Sequence, residues 1–297
     1  MSVCGICGGT EMLPLFAARD VNFATTSESF TIERCDACGV AQTSPRPPDD
    51  ALGKYYPAVY YPIGQFDEET YQRTIGRYQR DKISLLKPEK RQGRVLDIGC
   101  GAGYFVREAL AAGYDAEGVE VNAEAAAFGR KQWGLPLTVG DAQNVGYAVG
   151  SFDAITLWHV LEHLTRPADM LATVHRLLRT DGVLVLAVPN FASLQSRFFK
   201  DRWYHLEVPR HLYHFDPPSL RRLLDTRGFR VDREIHGSAE HNWAGILGSI
   251  LPLTPRNNSR FGVAARKLIG RPVARLAAGL EAAVKSGGTF TVIARKS

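Results

Sequence analysis

Five cysteines are present, and four fall in two matched units, Cys4-Gly-Ile-Cys7-Gly8 and Cys35-Asp-Ala-Cys38-Gly39. Two thiolates three positions apart grip one ion from a tight turn, and the glycine that follows permits the backbone of that turn. Two such units supply four soft ligands and close a tetrahedral shell. They predict a structural zinc on Cys4, Cys7, Cys35 and Cys38. Two disulfides are the alternative, which a reducing compartment disfavours. A second motif reads Asp97-Ile-Gly99-Cys100-Gly101-Ala-Gly103-Tyr104. Its glycines let the backbone turn sharply and approach a ligand closely. A dinucleotide loop would place glycine at 104, where this chain has Tyr104, so an NAD-dependent oxidoreductase is the remote reading. Two further stretches carry histidine beside acid or aromatic residues. One is Trp158-His159-Val-Leu-Glu162-His163; the other runs from Trp203-Tyr204-His205 to His211-Leu-Tyr213-His214.

The elements around these motifs alternate. Arg94–Ile98, Asp115–Val121, Leu135–Val139, Phe152–Leu157, Gly182–Val188, Phe229–Ile235 and Thr289–Ala294 read as strands. Gly101–Ala112, Ala123–Trp133, Pro167–Arg179 and Leu220–Arg227 read as helices between them. Short apolar strands alternating with helices predict an α/β fold, a doubly wound and mostly parallel seven-stranded Rossmann-like sheet, with a small zinc ribbon at the N-terminus. The ligand site of such a sheet lies at the carboxyl ends of its first strands. The organisation expected is a zinc-ribbon module over 1–45, a Pro/Tyr-rich linker and leading helix over 46–92, and the main core over 93–297. Two insertions decorate the core: 190–216, placed as a lid, and the helical 237–288. A module of ~45 residues can hardly build its own core, so the metal is its staple.

The order D-x-G-x-G-x-G resembles motif I of class I S-adenosylmethionine-dependent methyltransferases. Glu120 ends the second strand, where an acid can accept both ribose hydroxyls. Asp141, in Gly140-Asp-Ala142, matches the acid such enzymes use near the adenine, and His159-Val-Leu-Glu162-His163 looks like the H-x-x-E-H stretch of many small-molecule methyltransferases. A Cys4 pair, a Pro/Tyr-rich linker and this core together are similar to zinc-bearing methyltransferases of sugar and secondary-metabolite biosynthesis. The resemblance implies an enzyme that binds S-adenosylmethionine. Its donor site would use Asp97, Gly99, Cys100, Gly101, Gly103, Tyr104, Glu120, Val121, Asp141, Ala142, Trp158 and His159.

Methyl transfer from a sulfonium needs alignment and, for an alcohol or a carbon beside a carbonyl, a base. His163 is the first candidate and is expected to titrate near neutrality, with Glu162 beside it; His211 and His205 are in reserve. Tyr55, Tyr56, Tyr60, Trp203, Tyr204, Tyr213 and His214 suit an acceptor pocket of flat apolar walls with polar tips, or simple packing. O-methylation of a small-molecule, sugar or carrier-linked intermediate ranks first, then C-methylation. The rival is an RNA- or protein-directed methyltransferase that reads its substrate with the ribbon. Against nucleic acid, Val3–Val40 holds only Arg19 and Arg34 as bases among five acids.

Composition sets the outer bounds. The 297 residues are 45% hydrophobic and 23% charged, as for a globular chain of one large domain with a satellite. The richest apolar run, Ala244–Leu253, is half the roughly 20 residues a membrane span needs. Met1-Ser2-Val3-Cys4 opens no secretory signal, so a cytoplasmic location is expected. The net charge of +5 is concentrated: Thr254–Ser297 holds nine Lys/Arg against Glu281 alone. That excess is either a solvated face or a patch for an anionic partner, and peripheral membrane contact through the basic C-terminal helices is one form of it. The oligomeric state, monomer or homodimer, is left open.

Overall fold

The computed structural model describes residues 2–57, 60–61, 68–86, 93–236, 239–250 and 276–297, apart from 278 and 282. Two sheets are present. The larger joins seven strands in the order β10-β11-β8-β7-β4-β5-β6. Its strands are β4 (Arg94–Ile98), β5 (Asp115–Glu120), β6 (Leu137–Val139), β7 (Phe152–Trp158), β8 (Leu178–Pro189), β10 (Phe229–Ile235) and β11 (Thr289–Lys296). β4 to β8 pair in parallel, and β11 enters antiparallel between β8 and β10. Val183–Pro189 is buried throughout, as a central strand covered on both faces requires. Helices α3 (Tyr104–Ala111), α4 (Ala123–Trp133), α5 (Pro167–Leu177) and α7 (Pro217–Thr226) cover those faces. Local chemistry sets their ends. Asn122 caps α4 by accepting from Ala125 N, and Gly134 leaves it in the left-handed region. Asp216 and Ser219 form a capping box on α7 with proline at its first turn.

The smaller sheet is antiparallel: β1 (Met12–Arg19), β2 (Ser29–Cys35), β3 (Ala41–Ser44) and β9 (Tyr213–His214). Its first three strands belong to the Cys4 module, while the fourth comes from the segment placed as a lid. A cluster of Ala18, Phe30 and Ile32 with Trp203, Leu206 and Val208 fills the space between them. Cys4, Cys35 and Cys38 pack in one continuous core with Leu212, Phe215 and strands of the main sheet. The 203–215 segment is therefore a buried wall stitched to the module, in place of the expected covering lid.

Other expectations shift locally. Asp49–Tyr55 is a 3-10 helix within the stretch read as extended linker. The leading helix is α1 (Glu68–Tyr71) and α2 (Arg77–Ile83), joined by a π segment, Gln72–Gly76. α3 begins at Tyr104 because the three glycines before it all adopt positive φ. α6 (Leu194–Phe199) of the first insertion meets α8 (Ala239–Ile250) of the second. Residues 251–275 of the insertion expected to be helical over 237–288 lie outside the described residues. No helix among the described residues is long and apolar enough to cross a membrane.

Candidate active site

The three motif glycines sit at φ +69, +56 and +79, and each has a different reason. A Cβ on Gly99 would stand 2.5 Å from Val160, so this position lets the 159–163 segment close onto the loop. A Cβ on Gly103 would stand 2.7 Å from Leu135, which is helix packing. A Cβ on Gly101 would meet nothing within 4 Å. Gly101 faces a cavity of about 200 Å³, lined also by Tyr61, Gln79, Lys82, Asp97, Tyr104 and Trp158. Gly99, Cys100 and Phe105 complete its near wall.

Asp97 is buried at the end of β4 and accepts from Thr156 Oγ1 at 2.6 Å. Burial pushes its pKa up to about 7, against that hydrogen bond and the Lys82 ammonium. Lys82 Nζ lies 4.5 Å from the Trp158 ring centroid. Gln79 Oε1 and Trp158 Nε1 are buried with no hydrogen-bond partner among the described residues. Both residues line the cavity, and an acceptor and a donor without partners there suit the ammonium and carboxylate of an amino-acid ligand. Glu120 is buried at the end of β5, where Oε2 accepts from Gly101 N and Oε1 from Asn122 N, both at 2.8 Å. Both carboxylate oxygens keep acceptor capacity for a ribose. Gly103, Glu120, Val121, Asp141, Ala142 and His159 lie outside the cavity lining. Val121 is exposed, Ala142 belongs to the main core, and Asp141 caps its own turn by accepting from Gln143 N.

A second constellation adjoins this cavity. His163 closes a 3-10 turn, Leu161–His163, after β7, with α5 starting only at Pro167. Its Nδ1 lies 3.2 Å from the Arg210 carbonyl and 2.9 Å from the Tyr56 hydroxyl. A carbonyl only accepts, so the Arg210 contact is a hydrogen bond in the tautomer with the proton on Nδ1 and the lone pair on Nε2; the Tyr56 hydroxyl can donate or accept. Nε2 faces the Tyr60 hydroxyl at 3.4 Å. Burial, with the charge of His211, pushes the His163 pKa down to about 4, below the neutral range expected from sequence. His211 lies against it, ring centroids 4.5 Å apart. Burial lowers the His211 pKa, but Glu207, 3.0 Å from its Nε2, raises it further, and the net shift is upward. Glu207 itself is held at about 2: burial opposes, and His211 and Arg210 outweigh it. Glu162 is also held low, where the hydrogen bond and charge of His159 and the charge of His211 outweigh burial. Glu162, His163 and His211 bring ligand atoms within 4.8 Å of one another. His211 Nε2 is paired with Glu207 at 3.0 Å and its second ring nitrogen, Nδ1, is engaged by the His205 carbonyl, so neither is unpartnered.

The remaining sequence candidates go elsewhere. The His205 ring packs on Trp203, Tyr204 and Gly245, and its carbonyl accepts from His211 Nδ1 at 2.9 Å. Tyr55 donates to Glu28, Tyr213 accepts from Arg46, and His214 Nε2 pairs with Thr43 at 3.0 Å. Trp203 is buried in the cluster between module and wall, and the Tyr204 ring packs at Gly248 of α8. Of the seven acceptor-pocket candidates, Tyr56 and Tyr60 stand at His163. Gln79, Lys82, Glu207 and Arg210 were not singled out by sequence. Only Glu207 had a signal, an acid inside an aromatic run.

In the Cys4 module, Cys4 Sγ–Cys38 Sγ is 3.6 Å and Cys7 Sγ–Cys35 Sγ is 3.5 Å. These separations are far beyond a disulfide at about 2.05 Å and close to the roughly 3.8 Å edge of a tetrahedron with zinc–sulfur bonds of about 2.3 Å. Gly8 and Gly39 take φ +75 and +79, as the knuckle turns demand.

The profile of the methyltransferase-domain family matches residues 71–234. The chain belongs to that family. Similar curated proteins are O-methyltransferases. A ubiquinone biosynthesis O-methyltransferase of Caulobacter sp. (strain K31) is 29% identical over 177 residues, 56% of this chain and 67% of the relative. One from Roseobacter denitrificans is 31% identical over 147 residues, 48% of this chain and 58% of the relative. A malonyl-(acyl-carrier protein) O-methyltransferase of Pectobacterium atrosepticum is 27% identical over 150 residues, 50% and 57% respectively. The chain thus spans about two thirds or less of these relatives. Among solved structures, an S-adenosylmethionine-dependent methyltransferase from Archaeoglobus fulgidus superposes with a TM-score of 0.52 at 21% identity, over 76% of this chain and 94% of that one. One from Mesorhizobium loti gives 0.51 at 18%, over 74% and 98%. These establish the methyltransferase-domain sheet. The Cys4 module and the 203–215 wall precede and follow the strands that carry the cavity at Gly101.

Proposed function

We propose that the protein transfers a methyl group from S-adenosylmethionine to a hydroxyl oxygen of a small or carrier-linked biosynthetic intermediate, with His163 taking the acceptor's proton. When bound, S-adenosylmethionine supplies a sulfonium-activated methyl that needs no further activation by the protein. The chain's residues would do the rest. Gly101 leaves room, Gln79 and Trp158 satisfy the amino-acid end with Lys82 close by, and Glu120 takes the ribose. The observation that carries the reading is the junction of the two constellations. Tyr61 lines the donor cavity, and its neighbour Tyr60 packs on it at 5.4 Å between centroids while reaching His163 Nε2. Two consecutive tyrosines thus link the cavity to His163.

Nε2 would accept the hydroxyl proton as the oxygen–methyl bond forms and the methyl–sulfur bond breaks, the donor leaving as a neutral thioether, and Glu162 and Glu207, both held ionised, would partly offset the cost that burial and His211 place on the imidazolium. The O-methyltransferase names of the relatives favour oxygen as acceptor atom. Two arginines of the ribbon end are engaged internally, Arg34 with Asp216 and Arg46 with Tyr213, which weighs against a nucleic-acid reader. The four thiols are read as a zinc site with no open position for water. The test is His163→Asn, which keeps size but accepts no proton. Turnover should fall about 10²–10⁴-fold, the usual worth of a general base, with donor affinity by calorimetry unchanged. Full turnover in the variant would remove the base role from His163.

A further inference from the structure

Asp20 lies just past β1 in the Cys4 module, remote in sequence from the residues assigned above to methyl transfer. Its side chain is fully buried, as is that of Arg210. Asp20 Oδ1 accepts from Arg210 Nη2 at 2.7 Å and Oδ2 from Arg210 Nη1 at 3.1 Å. A bidentate carboxylate–guanidinium pair is planar and directional, so it fixes the orientation of the arginine. Arg210 Nη1 also donates to the Tyr55 carbonyl at 3.0 Å. The Arg210 main-chain carbonyl stands 3.2 Å from His163 Nδ1, where it accepts from a protonated Nδ1, and Tyr56, next to Tyr55, sets its hydroxyl 2.9 Å from the same nitrogen. Both partners of His163 Nδ1 are therefore anchored through one arginine, and that arginine by Asp20.

A buried ion pair contributes little net stability compared with well-packed apolar residues. Orientation is what this one supplies. Building on the reading of His163 as base, we infer that Asp20 is a positioning residue for methyl transfer: through Arg210 it fixes the Nδ1–H tautomer of His163 and aims Nε2 at the acceptor. The Cys4 module then supports the base from behind, through Arg210, without touching donor or acceptor.

The experiment compares Asp20→Asn, His163→Asn and the double variant for kcat, KM and donor affinity. Folded Asp20→Asn should keep donor affinity within about two-fold and lose kcat about 10–100-fold, part of what a general base is worth. Added to His163→Asn, it should cost less than about two-fold more, because positioning a missing base gains nothing. A merely structural role would lower both backgrounds by the same factor, and that result overturns the inference. Arg210→Lys keeps the charge opposite Asp20 but loses the fork, and should give the same kcat loss and the same non-additivity. In the unmodified protein, nitrogen NMR of the imidazole reads the tautomer directly. A proton on Nδ1 is expected, and a proton on Nε2 overturns the inference whether or not the variants fold. If His163→Asn alone keeps turnover, the base reading has failed. If it loses turnover while folded Asp20→Asn does not, only the positioning role has failed.

Discussion

With its pKa near 4, His163 is neutral at physiological pH and has its lone pair ready. The acidic limb of the pH–rate profile should therefore fall near pH 4, well under the ~6.5 of a free imidazole, and vanish in His163→Asn. The same shift acts on stability. The unfolded chain binds this proton from about pH 6.5 downward, while the folded chain refuses it until about 4. His163 leaves stability intact above the unfolded value and erodes it as pH falls through that window. Thermal melts between pH 7 and 4 should show a shallower decline for His163→Asn than for the unmodified protein. An equal decline would mean the imidazole is more open to water than its hydrogen bonds indicate. His211 runs the other way: raised by Glu207, its contribution is present at low pH and is lost as pH rises through its folded pKa.

The loop between β4 and α3 separates binding from packing within three residues. Gly101→Ala adds a Cβ into open cavity space at φ +56. It should cost about 1–2 kcal/mol of backbone strain and weaken the donor at least about ten-fold, which is about 1.4 kcal/mol. Gly103→Ala adds a Cβ 2.7 Å from Leu135, also at positive φ. It should destabilise by about 2–4 kcal/mol, strain and overpacking together, and affect the donor only through folding. Denaturant melts beside donor calorimetry separate the two. Equal effects on both quantities in both variants would show that the loop does not divide its labour this way. The 203–215 wall likewise depends on neighbours more than on its own propensity. It borrows β3 for pairing, Ser249 of α8 for the Tyr204 N–H, and Asn22 for the Tyr204 carbonyl.

Across the whole molecule, the small sheet connects the Cys4 cluster to the segment that carries His211. β1 to β3 carry or flank the Cys4 cluster, β9 extends the sheet with residues just past His211, and Thr43 donates to the His211 carbonyl at 2.8 Å. Zinc analysis should find one ion per chain. Stripping it should lower the melting temperature and cut turnover at least about ten-fold, since structural zinc supplies folding energy outright. Donor affinity should persist, because Gly101, Asp97 and Glu120 stand on the main sheet. Parallel loss of donor binding would show that the two sheets fold as one unit. Unchanged turnover without zinc would remove the metal from the acceptor side.

Local features of the sequence determined the parallel sheet, the glycine loop and the Cys4 pairs. Apolar strand runs such as Val183–Val188, positive-φ glycines and thiols three apart are short-range signals that survive without knowing what they pack against. The sequence also singled out His163 and Tyr60 as residues, but not their contact. Only the tertiary structure joined Asp20 to Arg210 across 190 positions, Tyr56 to His163 across 107, and set Lys82 of α2 against Trp158. It also engaged Tyr55, Tyr213 and His214 with Glu28, Arg46 and Thr43, and packed the 203–215 segment against the Cys4 module. A buried ion pair or an orphaned amide leaves no periodicity in the chain. Its partner is selected by which distant surfaces the two sheets bring together, and a charged residue in a loop reads the same whether it will face water or a single counter-ion.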